Sequence, residues 1–302
     1  MSEKTFRPLL TYSDEAHRLF DFKAGVGIKT GTHVLNDCIR ASRVSVFFID
    51  EDQAVIKNDF ATIERIKAAA EKMHSKVIEG RALELKTQFR VTGGEMYMFF
   101  IKSFLGYHRD VISYHPDKYE FKVFDSAAEM HHAIVEKDDG YNKGHTVSGK
   151  CRVVAGYTYE WVSKGQFRDG PDYDIVLDSG EYKAKWNLRC KQVGANYSWL
   201  NDPMSVNEVG CIHTCQGLDM NYCGVIIGKD LQFRDGKLLF CKEEIAHSDQ
   251  NSGIRSAEDD VAEKLIRNTY HVLLTRGMLG TYVYCEDDGL RDYLKGILKD
   301  QG

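Results

Sequence analysis

An α/β fold with largely parallel sheets is predicted by three features of this 302-residue chain. Short apolar runs alternate with longer amphipathic stretches, the pattern of strand–helix–strand units. Runs such as VSVFFI and CGVIIG are continuous rather than alternating, as strands covered on both faces of a parallel sheet are. Acids, glycines and arginines stand at the ends of these runs, where open α/β sheets carry their functional loops.

The elements follow in order. TFRPLLTY reads as a short strand interrupted by proline, and SDEAHRLF and the glycine-rich AGVGIKTGTH come next. A helix is predicted over 34–41. SRVSVFFIDEDQ reads as a buried parallel strand with a functional loop at its carboxyl end. An amphipathic helix is predicted over 60–74, and ALELKTQFR is a strand that enters a loop at Gly93 and Gly94. Helices are predicted over 95–106 and 125–137, with the strand DVISYH between them. CRVVAGYTYEWV is a further strand, preceded by a polar loop. Residues 165–203 are rich in glycine, aspartate and aromatics and predict an insertion with short antiparallel strands, DYDIVLD and GEYKAKWNL. NEVGCIHTCQGLDM leads from loop to helix, CGVIIGKDLQF is a strand, and DGKLLFC continues as an exposed hairpin. A long helix over 257–275, the strand TYVYCE and the helix DGLRDYLKGILK close the chain. The length suits two domains, with a boundary near 105–112.

Bulk composition narrows the function little. Forty basic and 45 acidic side chains give a formal charge of −5, so any nucleic-acid binding needs a local basic groove. No apolar run approaches the roughly 20 residues of a membrane span. The eight cysteines form no C-x-x-C pair, which argues against a zinc ribbon. Cys211, His213 and Cys215 lie in an apolar, strand-like pattern and read as structural; a metal site and a cysteine nucleophile are the functional alternatives. A reducing cytoplasm is the expected compartment.

Asp14 and Glu15 directly follow an apolar run. In a nucleotide hydrolase, one such carboxylate orients hydrated magnesium and the next polarises the attacking water; the plainer reading is an acidic helix start. Asp50, Glu51, Asp52 and Gln53 form a second acidic edge. Neighbouring parallel strands can bring both edges to one crevice, where Gln53 can bond phosphate or water without adding charge. Arg90 and Arg276 present forked donors suited to phosphate oxygens, although each alone could be a surface or ion-pair residue. His213, Thr214, Gln216 and Gly217 lie in a segment that can offer hydroxyls and backbone donors.

These segments, in this order, resemble the DUF2075 family, the schlafen group-3-like helicase domain, itself similar to superfamily 1 helicases. SDEAHRL resembles motif II, VSVFFIDEDQ motif III, LKTQFRVTGG motif IV, EVGCIHTCQGLDMNYCGVIIG motif V and IRNTYHVLLTRGM motif VI. The resemblance implies a RecA-like P-loop NTPase fold: a partial first motor domain over 1–108, then a second RecA-like domain over 109–302. It implies ATP and Mg2+ as cofactors and single-stranded DNA or RNA as partner. Asp14 would be the magnesium-linked carboxylate, Glu15 the catalytic base and Gln53 the γ-phosphate sensor. Arg90 and Arg276 would be the arginine fingers, with Gln216 and Gly217 forming a nucleotide-side turn. His213 and Thr214 would couple nucleotide state to the strand. Tyr159 and Trp161 could stack bases or fill the core, and the core is expected for Trp161.

The family's first strand should run into G-x-x-x-x-G-K-S/T, and the sequence contains no such run. GVGIKT at 25–30 lies after the acidic pair and reads as a loop. Too few residues precede Asp14 for an ordinary first motor domain. The expectation is therefore a motor that is weak or inactive alone, its first sheet completed by another polypeptide; the alternative is a non-catalytic remnant that binds nucleic acid or protein.

Overall fold

A computed structural model describes residues 9–19, 34–59, 61–80, 83–85, 90–108, 119–144, 150–188 and 199–299. The chain forms two compact units, Met1–Lys86 and Thr87–Gly302. The glycine-rich stretch 24–33 and the expected strand 110–115 lie outside the described residues.

In the first unit, β1 (Leu10–Ser13) pairs in parallel with β2 (Val44–Phe47), in register from Leu10 opposite Val44 to Ser13 opposite Phe47. α1 (Val34–Ala41) precedes β2, and α2 (Ile63–Lys72) follows it. Thr62 caps α2 by accepting from the Arg65 amide at 3.2 Å. The parallel pairing is as expected, but the burial of β2 is not. Leu10, Tyr12, Val44, Val46 and Phe48 are all exposed. A two-stranded sheet has two open edges, and among the described residues no layer covers this apolar surface.

The second unit holds the core. Its helices and strands are α3 (Gly94–Phe104), β3 (Glu120–Phe124), α4 (Ala127–Gly144), β4 (Cys151–Ala155), β5 (Ile175–Leu177), β6 (Tyr182–Ala184), β7 (Val209–Gly210), α5 (Ile212–Cys215), β8 (Met220–Ile227), β9 (Leu231–Arg234), β10 (Lys237–Phe240), α6 (Asp259–Leu274), β11 (Gly277–Cys285) and α7 (Asp288–Lys299). Five strands form one sheet in the order β3-β11-β8-β4-β7, every pairing parallel. This is the α/β architecture expected, and it is consistent with a RecA-like fold. Val153, Val225, Ile226 and Val283 are fully buried in it, as continuous apolar strands require.

β3 is an edge strand that the sequence reading passed over. Its signal is an alternation of Tyr119, Phe121 and Val123 with Glu120 and Lys122. The expected strand over 151–162 stops at Ala155. α3 folds with the second unit: the Tyr97 hydroxyl donates to the Leu274 carbonyl at 2.7 Å, and Phe100 and Phe104 are buried. The compact units thus divide earlier than the boundary near 105–112. The insertion forms as expected, with β5 and β6 antiparallel. So does the hairpin of β9 and β10, whose two-residue turn is Asp235-Gly236, both at positive φ.

Candidate functional site

In the first unit, Asp14 and Glu15 stand just beyond β1, and the segment Asp50–Gln53 stands just beyond β2. Parallel pairing therefore brings both acidic edges to the same end of the two-stranded sheet. Asp14 Oδ1 accepts from the Glu15 amide at 3.0 Å. Glu15 adopts φ 50°, a left-handed conformation that glutamate rarely takes, and its carboxylate lies 3.2 Å from Nε2 of the buried His17. Such a conformation must be held by its surroundings, and it is found disproportionately at functional positions. Gln53 Nε2 donates to Asp50 Oδ2 at 2.9 Å, and Glu51 accepts from the Ile63 amide at the start of α2. Gln53 is thus positioned by its own loop. Among the described residues no three His, Cys, Asp or Glu side chains converge on a point. The exposed carboxylates suit a cation held largely by water and phosphate rather than by a protein cage.

In the second unit, a group of charges gathers at the amino edge of the parallel sheet. Arg276 immediately precedes β11, Asp219 immediately precedes β8, and Arg90 forms an ion pair with Asp219. Arg276 is only 2% exposed. Burial first, and the Arg90 charge second, pull its pKa below the ordinary arginine value. Its one side-chain hydrogen bond among the described residues runs from Nε to the Val272 carbonyl, at 3.1 Å. Gln216 and Gly217 lie in the turn before Asp219, with Gly217 at φ 84°. Gly277 serves the strand itself. A Cβ there would sit 2.1 Å from the Gly280 carbonyl oxygen, where β11 shifts register against β8.

At the carboxyl edge, residues beyond β4 and β7 line a small pocket that is partly open to solvent. Tyr157, Trp161, Lys164, Trp186, Asn187 and His213 contribute to its wall, and the segment 248–251 closes it. The Trp161 and Trp186 rings meet edge to face, with centroids 6.2 Å apart. The Tyr157 hydroxyl and His213 Nε2 are 3.1 Å apart. Two buttresses fix the wall. Asp174 accepts from the amides of Ser163 and Trp186, both at 2.7 Å. Glu160 accepts from the amides of His247 and Ser248, pinning that segment in place. Asn187 holds φ 53°, and its Oδ1 accepts from the Thr214 hydroxyl at 3.3 Å.

Several expected residues are thus brought together, in two places. Arg90, Arg276, Gln216 and Gly217 belong to the amino-edge region; His213 and Thr214 belong to the carboxyl-edge pocket. α5 and the turn after it connect the two, running from Cys211 beyond β7 to Met220 at the start of β8. Tyr159 and Trp161 exchange their expected places. Tyr159 is buried, and its hydroxyl donates to Glu286 at 2.6 Å, so its ring is not available for stacking. Trp161 is half-buried and faces the pocket. The strand ends at Ala155, so the chain turns and the period-two rule no longer assigns faces beyond it. Trp186, Asn187 and the segment 248–251 were missed; only the adjacent W-N in an aromatic insertion hinted at them.

The cysteine alternatives do not fit. Cys215 is fully buried, and burial pushes its thiol up to about 12, which leaves no thiolate for nucleophilic attack. Among the described residues it joins no metal-binding cluster. One further stretch resembles a phosphate loop: Gly144 to Cys151 reads G-x-x-x-x-G-K-C. Gly144 ends a helix and Cys151 opens a strand, whereas a phosphate loop leaves a strand and opens a helix. No helix among the described residues is long and apolar enough to cross a membrane.

A family model described as Schlafen group 3, DNA/RNA helicase domain, matches residues 9–287. An uncharacterized protein of Saccharomyces cerevisiae is 28% identical over 302 aligned residues, an alignment covering 93% of this chain. The chain spans 63% of that relative's length.

Proposed function

Because the chain belongs to the Schlafen group 3 DNA/RNA helicase domain family, we propose that it is part of a nucleotide-driven motor acting on single-stranded DNA or RNA. The observation that carries the nucleotide half of this reading is the amino-edge charge group. Two arginines, from segments far apart in sequence, come close enough for the charge of one to act on the other, and Arg90 is paired with the carboxylate of Asp219. The group is net positive and partly desolvated, which suits an anion with several oxygens such as a triphosphate. In this reading Arg90 and Arg276 neutralise charge that develops on the transferring phosphoryl group. Gln216 and Gly217 shape the backbone beside them.

In the first unit, Asp14 would hold magnesium through water, and the cation would supply charge neutralisation on the phosphate oxygens. Glu15 would accept the proton of the attacking water, with His17 fixing its carboxylate. Gln53, braced by Asp50, would hydrogen-bond phosphate or water. His213 and Thr214 would transmit the nucleotide state toward the strand.

The sequence has no G-x-x-x-x-G-K-S/T run, and among the described residues no such loop leaves a strand and opens a helix, so this chain alone should hydrolyse ATP very slowly. Residues outside these 302, on the same or another polypeptide, would supply the loop. ATP turnover with and without single-stranded nucleic acid tests this. Turnover near background, together with ATP binding weakened about tenfold by Arg276→Ala, is the expected result. Robust turnover abolished by Glu15→Gln would overturn the claim of weak hydrolysis. ATP binding indifferent to both arginines would overturn their assignment.

A further inference from the structure

We propose that the carboxyl-edge pocket of the second unit takes one unstacked base of a single nucleic-acid strand, held against Trp161 and Trp186. The inference rests on the strand-coupled reading above and assigns the residues that would meet the strand.

The chemistry of the pocket selects the occupant. The pocket is partly open to solvent, so a base can enter it while the chain that carries it stays outside. Two indole rings at 84° to each other offer one face to stack on and one edge to abut. Asn187, Gln250 and Asn251 carry amides, which both donate and accept and so match the edges of a base. The one carboxylate in the wall, Asp249, is already committed to the amides of Asn251 and Ser252 and to the Ser252 hydroxyl. Its oxygens are thus engaged within its own loop, while the carboxylate keeps its charge.

Lys164 is exposed, and its ammonium lies 5.1 Å from the centre of the Trp161 ring. It can swing from that ring to a phosphate beside the base. A planar, neutral, hydrogen-bonding group flanked by a single negative charge is a nucleotide within a strand. The walls are built in advance: Asp174 and Glu160 fix the backbone on either side, so little ordering is left to binding. The pocket is also connected inward, since Asn187 accepts from Thr214 on α5, and the turn after α5 reaches Asp219 and Arg90.

Fluorescence anisotropy on the full chain tests the proposal. The probes are a labelled 15-nucleotide deoxythymidine strand, its ribouridine counterpart and an abasic backbone of equal length, with unlabelled thymidine monophosphate as competitor. The base-bearing strands should bind at least about fivefold more tightly than the abasic backbone, the lower end of what one base–aromatic stack contributes. Trp161→Ala should erase that ratio, and Trp161→Phe should keep most of it. Lys164→Ala should weaken all strands together and reduce their salt dependence. Circular dichroism and thermal melting establish that each variant is folded. Wild-type ratios in folded Trp161→Ala would overturn the pocket assignment while leaving the strand-coupled reading intact. Thymidine monophosphate binding as tightly as the strand would overturn the choice of a strand as occupant. Failure of the wild-type chain to bind any strand would overturn the strand-coupled reading and the pocket with it.

Discussion

The second unit buries two arginines in two quite different regions. Arg152, within β4, is 0% exposed and makes five hydrogen bonds: to Ser205, Asp138 and three backbone carbonyls, those of Cys151, Leu200 and Asp202. It ties the segment around 200–205 to the sheet. Arg276, at the amino edge, is buried nearly as deeply but makes one side-chain hydrogen bond among the described residues, and the Arg90 charge works against it. A satisfied buried cation is a structural tie. A buried cation set near a like charge is what a site prepared for an anion looks like.

The contrast can be broken at its strongest point first. Arg152→Ala removes the cation beside the Asp138 carboxylate and a donor to three backbone carbonyls, so urea unfolding should show a loss of about 3–5 kcal/mol. A loss below about 1 kcal/mol would mean that the network is not a tie at all.

A buried acid sharpens the comparison next. Asp230 accepts from the Tyr270 hydroxyl, and burial pushes its carboxyl up to about 7 from an ordinary 3.8. Its folded pKa lies above its unfolded one. The stability it contributes is therefore complete below about pH 4 and is lost as pH rises through about 7. Asp230→Asn should match wild type at pH 4 and exceed it by about 2–4 kcal/mol at pH 8. Parallel pH curves for the two proteins would show that Asp230 is ionised in the fold.

Two smaller effects complete the series. Trp161→Ala should cost about 1 kcal/mol, because the ring is half-buried and loses one edge-to-face partner. Arg276→Met should leave stability within about 1 kcal/mol of wild type, since the desolvation and repulsion it removes offset the packing it disturbs. A loss as large as that of Arg152→Ala would erase the distinction between the two arginines.

Legibility in the sequence followed the physics of each element. α1, α6, α7 and the insertion hairpin are local structures set by amphipathic period or turn chemistry, and the sequence reading located them closely. β8 and β11 are continuous apolar runs and equally clear, but the expected strand CGVIIGKDLQF breaks after Ile227, and its end becomes β9 of a separate hairpin. β3 was missed because an alternating edge strand beside a charged turn carries a weaker signal. VSVFFI reads as an interior strand, but the burial of β2 depends on which layers cover it. The acidic pair and the two arginines stood out as residue types at loop ends. The edge of the sheet that each would occupy did not, since that depends on strand order.

By itself, the sequence determined the α/β class, most helices, the parallel character of the sheet and the residues that carry the family's motifs. These follow from short-range periodicity and from residue chemistry. Only the tertiary structure decided that Arg276 is buried beside Arg90, that Tyr159 and Trp161 exchange roles, and that Asn187 and the segment 248–251 complete a pocket with His213. Each of these depends on groups far apart in the chain, brought to one edge by the strand order β3-β11-β8-β4-β7. Desolvation and like-charge proximity exist only once that order has formed.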